Sequence, residues 1–465
     1  MTFDSLIFLF AFLPVSFILY YVTPARFKNL TLVLVSALFY AWGGLAHTLI
    51  LFVSVVWNYA CGGMIGKYLG HGKRAKNIMM IAVGADIILL GVCRYAGQIL
   101  KMTGNGMADS RYFLVPIGIS FFMLQNIAYI IDIYREEIRP QKDIVKFAVM
   151  IVLYPKIIAG PLVSADEFAK QLDKRKLSFG KISDGVLLFL RGLSKKVILG
   201  NGMEMVFETV QALPAKQMSA AGAWLLCIAF AFRIYFTFGG YCDMAMGLSK
   251  MLGFELPENV NYPYLSTGIM DFWSRWMSTL WKWFCSYVYL PLCGGNPGGT
   301  MGFLSLLVTW FLIGLWHGMN GTFIIWGIYF AVLLYLEGFV LGEGLAKLPK
   351  GVRWFFTMVL LMTSWVFFFS SSIGEAFSQL RYMIIGGGGG FVNAEAVSVL
   401  MDHGILWILA VFFSTPLFHR LYEWVIQGGR RWQVVLNCIV YIMLFVLCLA
   451  GIVSGSGSGF LYFSS

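Results

Sequence analysis

Apolar stretches close to the length of about 20 residues that crosses a hydrocarbon bilayer recur along this whole chain. The clearest cover residues 5–22, 47–65, 77–93, 113–133, 221–252, 303–316, 322–340, 354–370, 405–418 and 434–453. With the shorter runs between them the pattern reads as about 10–13 membrane segments. No soluble core needs so much apolar surface. Of 465 residues 59% are hydrophobic and only 12% charged, against roughly 25% charged in a soluble domain. Backbone polar groups in lipid must be satisfied within the segment, and the runs lack the alternation of barrel strands, so helices are the expected form. The first segment begins with Asp4 rather than a basic region and has no small-residue cleavage pattern after Val22, so it is expected to stay attached.

The net charge of +11 gathers in a few short loops. Lys67, Lys73, Arg74 and Lys76 form one cluster, Arg135, Arg139 and Lys142 a second, and Lys170, Lys174, Arg175, Lys176 and Lys181 a third. The positive-inside rule places all three in the cytoplasm and, counting back, the N-terminus outside. These charges serve topology and contact with anionic membrane lipid; no soluble basic domain exists to bind nucleic acid. The eight cysteines form no CxxC, and all but Cys293 lie in or beside apolar runs. Neither a metal site nor a structural disulfide is expected.

Several places depart from plain spans. The segment 144–160 lies between two basic loops and carries Pro155 and the pair Gly160-Pro161, which interrupt a helix. A re-entrant or broken segment beside a cavity fits, and so does a misplaced loop. Residues 253–299 mix Pro, Asn and aromatics; Trp273, Trp276, Trp281, Trp283, Tyr287 and Tyr289 stand among Arg275 and Lys282, a composition suited to an interfacial helix in the headgroup layer. The run Gly386–Gly390 reads as a flexible loop, and the turn Cys293–Gly299 lacks the strand and Lys-Ser/Thr of a phosphate loop.

The sharpest local feature is Gly314-Leu315-Trp316-His317-Gly318 inside an apolar segment. Polar groups there are costly and face a cavity or a partner, and imidazole has a proton affinity near neutrality. His317 is therefore a candidate general base for a hydroxyl attacking an ester or thioester; a structural histidine bonded to a neighbouring helix is the other reading. Arg233 and Asp243 stand ten residues apart in one apolar stretch, too far to pair along a straight helix. They read either as tunnel-lining groups or as two separate interhelical pairs.

Taken together, several segments resemble the membrane-bound O-acyltransferase (MBOAT) family, and within it the AlgI-like group. The resemblance runs along nearly the whole chain: Phe3-Asp4-Ser5, Leu13-Pro14, Phe39-Tyr40-Ala41-Trp42-Gly43, Pro116-Ile117-Gly118, Ile131-Asp132-Ile133-Tyr134-Arg135, Ile158-Ala159-Gly160-Pro161, Gly240-Tyr241-Cys242-Asp243-Met244-Ala245, Pro257-Glu258-Asn259, Asp271-Phe272-Trp273 with Arg275-Trp276, Tyr287-Val288-Tyr289-Leu290-Pro291-Leu292, Gly314–Gly318 and Trp365-Val366-Phe367-Phe368.

The resemblance implies an all-α polytopic membrane protein. Its helices would surround a central tunnel, with re-entrant and interfacial helices, as one domain over 1–465, a core at 110–370 and a catalytic region at 240–330. It further implies an acyltransferase of the cytoplasmic (inner) cell membrane with His317 as catalytic residue. Trp316, Asp243, Asp271 and Arg275 would line the tunnel or orient substrate. An acetyl group would pass from acetyl-CoA or an acyl-carrier thioester, with no tightly bound cofactor, to hydroxyls of a secreted or cell-surface polysaccharide. A separate extracytoplasmic protein would complete delivery. Two departures stand out. The family's second histidine is Met277 here, which cannot shuttle a proton and leaves an inactive relative as one alternative. Cys242 replaces the usual serine before Asp243. Transfer of D-alanine to teichoic acid, as in the DltB-like group, is the other enzymatic reading.

Overall fold

In the computed structural model the described residues are 1–103, 115–116, 118–158, 160–175, 177–426 and 431–455. Ile117, Ala159, Lys176, the side chain of Lys174 and positions 113–114 of the segment expected over 113–133 lie outside them. The described chain is helical, with a single isolated bridge between Val260 and Trp276. Seven helices are long and apolar enough to span a membrane: Leu45–Tyr68, Gly72–Leu100, Ala220–Met251, Thr300–His317, Gly321–Val340, Lys350–Phe369 and Arg431–Val453. The pair Ala394–Asp402 and Gly404–Phe413, bent by 66°, makes an eighth, and Phe8–Val22 and Ile119–Tyr134 are shorter apolar helices. Seven spans, or eight with the bent pair taken as one, are thus long and apolar enough to cross, and the expected 10–13 segments are approached only with the two shorter helices included. Large apolar side chains lie exposed in number along these helices, Ile88 (67%) and Val453 (71%) among them, an extent of apolar surface that suits hydrocarbon as its neighbour. The chain is a multi-pass membrane protein.

Contacts gather the chain into two units, Met1–Phe189 with Met244–Pro257, and Leu190–Asp243 with Glu258–Ser465. In the first unit the segment expected to be irregular is a broken helix. Ile144–Val152 starts on the Asp143 carboxylate, which accepts from the N–H groups of Val145 and Lys146 at 2.8 and 3.2 Å. It stops at Leu153, two residues before Pro155, and a short turn Tyr154–Ile157 follows. Nine residues span only about 14 Å, too short to cross the bilayer. Irregular backbone in a membrane protein is tolerated where protein encloses it, and here Phe147, Val149, Tyr154 and Ile157 are all buried. The N–H of Tyr154 at the break donates to Ser36 Oγ at 3.1 Å. Gly118 (φ +70°) lies so close that a Cβ would stand 2.3 Å from the Ile157 carbonyl oxygen. A misplaced loop is thereby set aside.

Of the stretch 253–299, the part in the second unit, 258–299, behaves differently from its composition. The unit's short helices Ile269–Arg275 and Ser278–Phe284 bury Phe272, Trp273, Trp276, Met277 and Trp283 inside protein. Trp281, Tyr287 and Tyr289 are half-buried. Aromatic content suits a headgroup layer and a protein core equally, and here packing partners claim three of the tryptophans. The glycine run is also not a free loop. Gly387 and Gly388 donate to the carbonyls of Met218 and Ala215 at 2.7 and 2.9 Å, and Gly390 accepts from Ala220 at the start of the long helix at 2.9 Å. A Cβ on Gly387 would meet the Ala215 oxygen at 2.3 Å. The run is glycine because two backbones touch there.

Candidate active site

His317 is the last residue of the helix Thr300–His317. The chain turns through Gly318-Met319-Asn320, where Asn320 Oδ1 accepts from Thr322 N at 3.4 Å and Asn320 Nδ2 donates to the Ser371 carbonyl at 2.9 Å. It then returns as Gly321–Tyr335. The two arms of this hairpin press together at two glycines. A Cβ on Gly314 would stand 2.4 Å from the Phe323 carbonyl oxygen, and one on Gly327 would stand 2.3 Å from that of Trp310. Gly314 in the motif therefore serves helix contact.

His317 is 6% exposed and lies in an aromatic chamber. Its ring centroid is 4.8 Å from Trp316, 5.0 Å from Phe368, 5.1 Å from Trp326 and 6.0 Å from Phe323. Phe368 brings in the Trp365–Phe368 block, since Trp365 and Phe368 lie 5.6 Å apart. Trp365 reaches Trp276 at 6.3 Å, and Trp273 reaches Trp326 at 5.8 Å. Two of the blocks, 314–318 and 365–368, thus meet at the imidazole, and the third, 271–276, packs against Trp326 and Trp365 just behind it. Trp326 was not distinguishable in the sequence, because an indole inside an apolar run looks like any core residue.

The other expected site residues stand in clusters of their own. Asp271 and Arg275 pair one turn apart at 2.6 Å, and Asp271 also accepts from Thr267 N at 3.1 Å. Their helix starts on Glu337, whose carboxylate accepts from Ile269 and Met270 N–H at 2.5 and 3.0 Å. A carboxylate on the orphan donors of a helix N-terminus is favourable. Met277 is 2% exposed and left-handed (φ +48°) where the chain passes between two short helices. Histidine is among the residues enriched in that conformation, so the backbone still suits the family's usual residue. Beside it, Asn259 accepts from Thr279 N and Oγ1 at 3.1 and 2.9 Å and lies 3.8 Å from the Cys242 sulfur.

Asp243 and Arg233 form two separate interhelical pairs. Asp243 meets Lys195 at 2.7 Å and Arg191 at 3.3 Å, and Arg233 meets Glu204 at 2.7 Å. In the nearby loop, burial and then the Asp243 carboxylate raise the carboxyl of Glu258 above its ordinary range. Removing one member of a buried pair leaves an uncompensated charge. Lys195 and Arg191 keep part of their surface, so Asp243→Ala is expected to cost about 1–3 kcal/mol. Thermal unfolding of the purified protein in detergent measures this, and an unchanged midpoint would show the cluster to be structurally idle.

A buried imidazole among aromatic rings, at the end of a membrane helix, is chemically able to take up a proton from a reacting hydroxyl. The comparisons give the class of protein. The model of the membrane-bound O-acyltransferase family matches residues 134–342. A Pseudomonas putida protein named "Probable alginate O-acetylase AlgI" is 33% identical over 100% of both chains. A Helicobacter pylori peptidoglycan O-acetyltransferase is 30% identical over 82% of this chain and 79% of its own. A Bacillus subtilis teichoic acid D-alanyltransferase is more distant, 27% identical over 48% and 59%. The chain is a membrane O-acyltransferase. It belongs to the MBOAT family, as its motifs implied.

Proposed function

We propose that this protein moves an acetyl group from a cytoplasmic thioester to hydroxyls of a cell-surface or secreted polysaccharide, with His317 as general base. The observation that carries the role of His317 is its enclosure by Trp326, Phe368 and Trp316 at the point where two family blocks meet and a third packs just behind. A neutral imidazole takes the hydroxyl proton as the new C–O bond forms. The cation this creates sits at the carbonyl end of its helix, where positive charge is favoured. With methionine at 277, His317 acts without a second histidine. The acetyl reading rests on relatives named as O-acetylases that match most of the chain, while the D-alanyltransferase matches about half.

The proposal extends to topology. The basic clusters at 67–76, 135–142 and 170–181 face the cytoplasm of the inner membrane and the N-terminus faces outward. Acetyl-CoA or an acyl-carrier thioester supplies the acyl group, and a separate extracytoplasmic protein completes delivery. Asp271 with Arg275, and Asp243, act as supports that orient the chamber's walls. The deciding experiment is alkaline release and mass analysis of esters on the surface polysaccharide from cells with and without the gene. Acetate lost on deletion supports the reading. Loss of D-alanine instead selects the teichoic-acid activity, and unchanged esters sink the assignment.

A further inference from the structure

The reaction just described develops negative charge on the thioester carbonyl oxygen, and an enzyme must meet that charge with a hydrogen-bond donor. We propose that the indole N–H of Trp326 is that donor, making Trp326 a second catalytic residue beside His317. This inference rests on the acyl-transfer reading.

Three observations carry it. Trp326 is 1% exposed, yet its Nε1 has no hydrogen-bond acceptor among the described residues. A buried donor without an acceptor is uncommon in folded proteins and calls for an explanation such as a catalytic role. Next, the indole is in ring contact with His317 at 5.1 Å and stands nearly perpendicular to it, at 84°, which makes it a direct neighbour of the group that takes the proton. Trp273, Trp310, Trp365 and Trp407 also bury Nε1 atoms without an acceptor among the described residues, but the rings of Trp273 and Trp310 pack against Trp326, at 5.8 and 6.0 Å, and Trp365 reaches the imidazole only through Phe368, at 5.6 Å; Trp316, at 4.8 Å, touches His317 as its neighbour in the chain. Finally, the position is rigid. Gly327, the next residue, touches the Trp310 carbonyl, and Gly314, one turn before His317, touches that of Phe323. The hairpin therefore fixes the register of the two side chains before substrate arrives, and a donor fixed in advance needs no reorganisation during reaction.

The step balances as follows. The acceptor hydroxyl oxygen bonds to the thioester carbonyl carbon while its proton passes to His317, and the carbonyl π pair moves onto oxygen, where the Trp326 N–H donates to it. When that pair returns, the C–S bond breaks, and the sulfur leaves with its electrons and takes the proton back from the imidazolium. The products are the ester and a free thiol.

The test uses membrane vesicles from the producing cells, acetyl-CoA as donor and the de-esterified polysaccharide of the same cells as acceptor. Two replacements at position 326 are compared with the native chain. Trp326→Phe removes the N–H with part of the ring, and 3-benzothienylalanine at 326 keeps the bicyclic shape with sulfur in place of N–H. Both are expected to lower kcat by about 100-fold, as loss of one oxyanion donor does, with KM for the thioester changed by less than about twofold. A merely structural indole would show normal turnover with the isosteric analogue. Normal kcat in the benzothienylalanine protein, or a change confined to KM, overturns the proposal while His317→Ala stays inactive. Acetyl transfer that persists in His317→Ala removes the base role of His317, and transfer absent from the native vesicles overturns the acyl-transfer reading; either outcome takes this inference with it.

Discussion

His317→Ala is expected to lower the rate of ester formation by about 10²–10⁴-fold, the usual contribution of a positioned general base, with the amount of protein in the membrane unchanged. The imidazole is the only group changed, and its neighbours Trp326, Phe368 and Trp316 are large rings that hold one another through contacts of 5.5 Å between Trp326 and Phe368 and 5.6 Å between Trp365 and Phe368. The chamber should therefore keep its shape around the deletion. His317→Gln provides a check on packing, since it keeps most of the volume and a hydrogen-bonding tip without a proton affinity near neutrality. Rates measured in vesicles with matched protein levels decide the matter. If His317→Ala or His317→Gln retains activity within about tenfold of the native rate, the base is another group and His317 is a structural residue.

Gly327→Ala should damage both stability and turnover, although it adds one methyl group far smaller than anything removed from the chamber. That methyl would sit 2.3 Å from the Trp310 carbonyl oxygen, which is backbone and cannot rotate away. The arms of the hairpin must move apart. Overpacking of this kind costs about 1–3 kcal/mol. The same movement separates Trp326 from His317, and a misplacement of about 1 Å at a reacting centre costs roughly 10²-fold in rate. Gly351→Ala, on a membrane helix where an added Cβ meets nothing within 4 Å, is the control expected to be silent. A Gly327→Ala protein with native midpoint and native rate would mean that the close approach of the two helices has no part in the site.

Much of the site was legible because its chemistry is rare in its setting. A histidine within a membrane segment stands out against apolar neighbours, so His317 needed no fold to be noticed. The break after Leu153 was legible for a similar reason, through Pro155 and Gly160-Pro161. Other features carried no such mark. Trp326 is one of 15 tryptophans in a chain with 17% aromatic residues, and nothing local separates a chamber wall from a lipid-facing ring. The tryptophans at 273, 276 and 283 were misleading for the same reason: interfacial anchors and core residues share one composition. Glu337 could not be linked to Ile269 and Met270 without knowing that a chain 67 residues away returns to cap their helix.

The amino-acid sequence by itself determined the solvent, the helical form and the candidate base. Length and apolarity of a segment are local quantities, and lipid leaves the backbone almost no alternative. Only the tertiary structure decided which aromatic rings enclose His317, that Asp243 and Arg233 are held by separate ion pairs, and that the glycines at 314, 327 and 387 are contact points between backbones. Those facts depend on which surfaces meet across long stretches of chain, and packing at that distance leaves no periodic trace in the residues themselves.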